Sequence, residues 1–420
     1  MSSLSYENFS SGRREYRVVI TGAGIISSMG TGWRANADGF REGRLALREI
    51  TVFDASRQRV QRAGEVVFDG AFPETKLTER QVGRLDRASK LLIYAGTEAL
   101  KQSGWTEQML ESEQVAICLG TSAGAMEIGE GYYKQRVDEP QRQRGLAQDV
   151  MLYQPSTQGR FLADALGLQG QISIITNACA SGANAIGDAY RLVKKGRARR
   201  ALAGGYDALA QMVFAGFDAL QALSTTIPRP FDAERDGLAL GEGAGLVTLE
   251  RLEDAQARGA TILAEVVGYG SSTDLHHLTQ PQPQGDAALR SMTMACAEAG
   301  VIPREVQYIN SHGTGTPLND VAEGHAIQRW AGEWTPHVMV SSTKASIGHL
   351  LGGAGAVEAV ICLLALNEGF VPPTTTIRTL DPVCTFDMVR EPRQADLDCV
   401  LTNSFGFGGA NATLVMRKVS

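Results

Sequence analysis

The chain has 420 residues, enough for two or three domain-sized units around a large core. With 40 Lys plus Arg against 46 Asp plus Glu the formal net charge is -6, so no basic excess points to nucleic acid. Six scattered cysteines form no CxxC pair, which argues against a zinc site or a disulfide framework and fits a reducing, cytoplasmic setting. Residues 1–16 are polar and lack the apolar stretch of a signal peptide, and no window reaches the length of a membrane span.

The first predicted element is a strand, Arg17 to Ser27, running into a glycine turn at Gly22 and Gly24. A dinucleotide-binding loop would need its third glycine at Ser27 and an acidic residue about 20 positions on, and neither is there. Leu91, Leu92, Ala95, Ala99 and Leu100 recur at helical spacing, predicting a helix over 87–104 that Gly104 can close. Val115 to Gly120 is a buried strand ending in the small-residue loop Thr121 to Ala125. Ile172 to Ile175 is another, followed by a turn of Ala, Ser and Gly around Cys179 and a helical pattern through Tyr190, Leu192 and Val193. Strands at 199–205 and 241–250 and a short charged helix at 254–259 complete this half.

From Ile262 the pattern restarts. A strand over 262–270 echoes Val18 to Ser28, and a helix over 287–300 echoes 87–104. A strand over 306–310 with a Gly/Thr loop echoes 115–125. Val338 to Ser342, a small-residue turn and a helix over 353–367 echo the Cys179 unit, and 398–416 finish as a hairpin. The same order twice predicts an α/β fold of two duplicated halves, with mostly parallel mixed sheets and helices between and around them. The halves are placed at 17–258 and 259–420, behind a polar extension over 1–16.

Cys179 sits at a strand-to-helix turn. A helix N-terminus offers unpaired N–H groups and partial positive charge, which lowers a thiol's pKa. The same position also suits a small buried structural cysteine. Loops at strand C-terminal ends converge, and two more of them carry unusual residues: Asn310-Ser311-His312-Gly313-Thr314-Gly315-Thr316-Pro317-Leu318-Asn319-Asp320, and Lys344 to Gly355 with His349. A thiolate can attack an acyl thioester and hold the acyl group, while two neutral imidazoles donate N–H bonds to an enolate or oxyanion. A Cys/His peptidase would need one His oriented by Asn or Asp and no second His. His276, His277, His325 and His337 lack this setting.

Taken together the motifs resemble those of the β-ketoacyl-[acyl-carrier-protein] synthases, elongating condensing enzymes of the thiolase fold, over Val18 to Met416. The resemblance is carried by Asn177 to Gly182, Pro228 to Asp232 with Arg235-Asp236-Gly237, Gly241 to Gly245, His312 to Pro317, Lys344 to His349, and Asn403 to Asn411. It implies that Cys179 accepts the acyl group, that His312 and His349 assist malonyl decarboxylation, and that Lys344 supports the site through a pair with Glu358. It implies an oxyanion hole from the backbone N–H groups of Cys179 and Phe407, a gate at Phe407, phosphopantetheine contacts at Thr314 and Thr316, an acyl-pocket position at Ala123, and structural support from Asn310, Glu323 and Glu358. No metal or cofactor is implied, since substrates arrive on the phosphopantetheine of acyl carrier protein. The implied partners are that carrier protein and a second subunit, either an identical chain or a related chain-length factor. A degradative thiolase would need a second cysteine in 403–411, and a chain-initiating synthase an Asn at His349. Gly315, Leu238 and Ala123 depart from the usual Ser, Phe and larger branched residue, which bears on the acyl chain and not on the reaction.

Overall fold

The computed structural model describes residues 14–139, 141 and 146–419. Most of the expected polar extension, residues 1–13, lies outside them. In chain order the main strands are β1 (Val18–Ser27), β2 (Ala116–Gly120), β3 (Ile172–Ile175), β4 (Arg200–Asp207), β5 (Gly243–Arg251), β6 (Ala264–Thr273), β7 (Tyr308–Asn310), β8 (Met339–Ser341), β9 (Asp387–Met388), β10 (Cys399–Phe405) and β11 (Ala410–Arg417). The helices that matter here are α1 (Arg87–Ser103), α2 (Met126–Asp138), α3 (Pro155–Leu166), α4 (Ser181–Lys194), α5 (Gln211–Ala219), α6 (Asp286–Ala299), α7 (Pro317–Ala331) and α8 (Ala354–Glu368).

Across the sheet the order is β9-β8-β7-β10-β11-β6-β1-β5-β4-β2-β3. Outward from the middle, one half runs β1-β5-β4-β2-β3 and the other β6-β11-β10-β7-β8, with β9 added at the edge. The two halves share not only order but sense. The outer three strands of each are parallel, and the inner pairings are antiparallel. The two five-strand units join only where Val18–Ile20 of β1 pairs antiparallel with Ala264–Val266 of β6. The duplication is therefore a property of the topology.

Helices α4 and α8 touch each other and strands of both halves, whereas α1 lies on β1 and β5, and α6 on β6 and β11. Helix, sheet, helix, sheet and helix follow as layers. The central layer accounts for its own composition. A Cβ on Gly182 of α4 would stand 2.8 Å from the Ala356 nitrogen of α8, so only small residues let these helices meet. Ala354 to Leu366 of α8 is buried on every side, as an apolar helix enclosed by protein requires.

Two expectations change here. Leu351–Glu368 is long and apolar enough to cross a membrane, against the reading that no window is, but 89% of it is buried in the protein core. And Gly22 and Gly24 do not form a turn. β1 continues through them with a shift of pairing register at Gly22, and Cβ atoms there would meet Ala99 O at 2.1 Å and Ala95 O at 1.9 Å. They bring α1 onto the strand. That helix begins at Asp86, whose side chain accepts the Ser89 N–H at 2.7 Å, and ends at Gly104 with φ 67°.

Candidate active site

The Cys179 turn is built from strain and hydroxyls. β3 ends at Ile175 and α4 begins at Ser181. Between them Ala178 adopts a left-handed φ of 48°, a conformation that persists only where its surroundings hold it. Its carbonyl accepts the Ser181 hydroxyl at 2.6 Å and the Ser122 hydroxyl at 3.0 Å. Cys179 follows, buried, with the Phe407 backbone N–H directed to its sulfur. The expected lowering of the thiol pKa is not what the site gives. Burial pushes Cys179 up to about 11, outweighing the Lys344 charge and the Phe407 N–H, which pull it down. The resting group is a thiol, not a standing thiolate.

His312 lies in a loop wrapped around two carboxylates of α7. Glu323 accepts the N–H groups of His312 at 2.8 Å and Gly313 at 2.7 Å, and also Asn403 Nδ2 at 3.2 Å. Asp320 accepts Thr314 N–H at 3.1 Å, Gly315 N–H at 3.1 Å and Phe231 N–H at 2.8 Å. Gly315 has φ 83°, which suits glycine, and a Cβ there would stand 2.8 Å from Gly237 O. His349 is fixed from the other side. Its N–H donates to Ala239 O at 2.7 Å and its carbonyl accepts Gly241 N–H at 2.9 Å, tying it to the Gly241–Gly245 motif.

The two imidazoles meet edge to face, centroids 5.3 Å apart and planes at 84°. His312 Nδ1 and both ring nitrogens of His349 have no hydrogen-bond partner among the described residues. Burial, then the nearby Lys344 charge, holds both pKa values well below the ordinary 6.5, so both rings are neutral near pH 7. Lys344 is buried in an ion pair with Glu358 of α8. Burial pushes Glu358 up to about 7 and Lys344 pulls it back. Glu358 Oε2 and Asn310 Oδ1 face the interior without partners.

A cavity of ≈ 340 Å³ leads inward to Cys179, His312 and His349, past Thr314, Thr316 and Phe407. The hydroxyls of Thr314 and Thr316 lie 2.8 Å apart on its wall. Phe407 stacks on Phe217 of α5 at 5.9 Å and 16°. Its loop turns on Gly408 and Gly409, with φ 80° and 81°, and is pinned by Gly408 N–H to Leu278 O at 2.7 Å and Asp274 N–H to Gly409 O at 2.8 Å. Gly406 lets its loop approach Cys179, since a Cβ there would stand 3.0 Å from Cys179 N. Ala123 sits apart from these. It is buried in an apolar cluster with Leu209, Phe214, Leu238 and Leu351, behind the wall to which Leu238 also contributes.

Two halves, one thiol and two neutral imidazoles on one cavity are what acyl condensation needs, and sequence comparison decides the family. The model described as "Beta-ketoacyl synthase, N-terminal domain" matches residues 15–255, and its C-terminal counterpart matches residues 263–378. The chain belongs to the β-ketoacyl synthase family. Among curated members of that family it is 38% identical over 409 residues to the 3-oxoacyl-[acyl-carrier-protein] synthase 2 of Staphylococcus aureus (strain COL), covering 96% of this chain and 98% of that one. Among solved synthases it superposes on the ishigamide ketosynthase/chain length factor with TM-score 0.91 at 34% identity, covering 97% of this chain and all of that one. It also superposes on a type II polyketide ketosynthase in complex with its acyl-carrier protein, with TM-score 0.86 at 27% identity over 97% of this chain and all of that one.

Two carboxylates that build this synthase site went without a role in the sequence: Asp320, named only as the end of the His312 loop, and Asp207, not singled out at all. Each left a signal: Asp320 lies in the first turn of a helix that starts at Thr316-Pro317, and Asp207 ends a strand of small residues.

Proposed function

We propose that the chain transfers an acyl group to Cys179 and condenses it with malonyl-acyl carrier protein, giving 3-ketoacyl-acyl carrier protein and carbon dioxide. It is an acyltransferase. The observation that carries the reading is the pair of buried, neutral histidines with free ring nitrogens on the same cavity as the thiol.

In the first half-reaction the Cys179 sulfur attacks the acyl thioester carbonyl and its proton passes to the departing phosphopantetheine sulfur. A thiol at rest suits this, since the proton is needed by the leaving group. The backbone N–H groups of Cys179 and Phe407 receive the oxyanion; the Phe407 N–H, which rests on the sulfur, is already at hand. In the second, the malonyl C–C bond breaks, carbon dioxide leaves, and the electron pair becomes an enolate. Neutral His312 and His349 donate to its oxygen without first losing a proton. The enolate carbon attacks the acyl-cysteine carbonyl, the oxyanion collapses, and the sulfur leaves and takes a proton from solvent, which balances the negative charge of the malonyl carboxylate lost as carbon dioxide. Thr314 and Thr316 hold the phosphopantetheine arm, Phe407 gates the cavity, and Lys344 with Glu358 keeps positive charge beside the imidazoles. Asn310 and Glu323 brace the histidine loop, and Ala123 bears on the acyl chain only from behind, in the apolar cluster that backs Leu238 of the cavity wall.

Acyl carrier protein brings both substrates. The second subunit is an identical chain or a chain-length factor, in fatty acid or polyketide/polyene elongation. Likeness to the ishigamide ketosynthase/chain length factor supports the latter partner, and likeness to a type II polyketide ketosynthase supports a polyketide pathway. One chain mass or two in the denatured purified complex separates the partners. The work is cytoplasmic, where the six free thiols stay reduced. Cys179→Ser tests the core of the proposal. Acyl loading should fall to below about a thousandth of the parent rate, with the melting transition kept, and loading above that level would sink the covalent route.

A further inference from the structure

Asp207 closes β4 and is fully buried, and the mechanism above does not use it. Its Oδ1 accepts the Thr121 hydroxyl at 2.5 Å and the N–H groups of Ala123 at 2.8 Å and Gly124 at 2.7 Å. Its Oδ2 accepts Gly352 N–H at 2.6 Å, and Ser122 N–H is shared between the two oxygens at 3.1 and 3.0 Å. Every partner is a donor. A carboxylate satisfies that set, whereas a carboxylic acid would set its own O–H against an N–H.

These donors come from opposite halves of the molecule. Thr121 to Gly124 follow β2, and Gly352 lies three residues beyond His349. The two loops are so close that a Cβ on Gly352 would stand 2.5 Å from Ser122 N. Each leads directly to a reacting group. Ser122 passes its hydroxyl to the carbonyl of Ala178, the strained residue before Cys179. Gly352 is joined to His349 through Leu351, itself left-handed at φ 50°.

We propose that Asp207 is a positioning residue whose carboxylate locks the Cys179 turn and the His349 loop in one register, so that the enolate forms within reach of the acyl carbonyl. It touches no substrate. The inference rests on the roles given to Cys179 and His349 above. It separates register from mere stability: an anchor that only holds the fold would scale every rate with the folded fraction, whereas a register device would uncouple decarboxylation from bond formation.

Asp207→Asn keeps the size and removes one acceptor oxygen, and Ser122→Ala cuts only the link to Ala178. Per folded molecule, Asp207→Asn should lower condensation about tenfold or more, the scale of a small misplacement of reacting groups. Carbon dioxide released per ketoacyl product should rise above unity. Alkylation of Cys179 by iodoacetamide, followed against pH, should shift to lower pH. The charges acting on that thiol are Lys344, which favours the thiolate, and Asp207 and Glu358, which oppose it. Ser122→Ala, which cuts the same lock at the Cys179 turn without removing a charge, should also raise carbon dioxide released per ketoacyl product above unity while leaving the pH profile of alkylation as in the parent. A parent-like carbon dioxide ratio in either variant overturns the proposal. If Asp207→Asn does not fold, the Ser122→Ala result alone decides. Loss of the acyl-acceptor role itself would show separately, as loading retained by Cys179→Ser, and the alkylation measurement stands apart from catalysis.

Discussion

Cys179, His312 and His349 owe their chemistry to burial more than to neighbours of opposite charge. Burial leads the causes at all three, raising the thiol and lowering the imidazoles. Each is thereby held in its neutral form at rest, which is the form both half-reactions start from. Histidine-selective NMR should show the ring signals of His312 and His349 staying those of neutral imidazole as pH falls through 6.5, since protonation in the fold is displaced below that value. Titration of either ring near 6.5 would contradict this. Replacing either by Ala should reduce carbon dioxide release by about 10²–10⁴-fold, the span of a positioned acid–base group, and slow acyl loading far less. Labelled malonyl and acyl carrier proteins measure the two separately. The identities of these residues could be read from loops and glycines. The direction of the thiol's shift could not, because a helix N-terminus is a local feature and enclosure by two sheets is not.

At the scale of elements, glycine and small-residue positions decide where helices sit. Gly24→Ala forces a Cβ to within 1.9 Å of the Ala95 carbonyl, and backbone on both sides leaves nothing free to move. It should destabilise by more than about 1–3 kcal/mol, the usual cost of overpacking. Gly216→Ala on exposed α5, where a Cβ meets nothing within 4 Å, should instead stabilise by about 0.5–1 kcal/mol. Urea midpoints at constant slope measure both. The periodic helices α1, α4, α6 and α8 were legible from sequence, each with apolar or small residues at helical spacing. Helices α2 and α7 were not, because neither has a clear one-sided apolar face, and α3 and α5 went unread as well. Yet α7 supplies Asp320 and Glu323, without which the His312 loop has no shape.

At the scale of the molecule, β1 and β6 share only a short antiparallel contact, while α4 and α8 each touch strands of both halves. Folding one half alone would expose the apolar faces of the central helices. The two halves should therefore unfold as one transition, with far-UV circular dichroism, tryptophan fluorescence and loss of Cys179 protection against alkylation coinciding in urea. Separate midpoints would mean that the halves are independent domains merely placed side by side.

The amino-acid sequence by itself determined the repeated order of strands and helices, the thiol in one half and the two histidines in the other. Those follow from hydrophobic period and turn residues, which are local. Only the tertiary structure decided that the halves share a central helical layer, that Gly22 and Gly24 are packing positions, that the apolar helix after His349 is core, and that the resting cysteine is protonated. Each depends on what is enclosed by what, and enclosure is set by chain segments hundreds of residues apart. Asp207 shows the limit most clearly: its place at the end of a strand was visible, but its five donors come from two loops that meet only when both halves close on it.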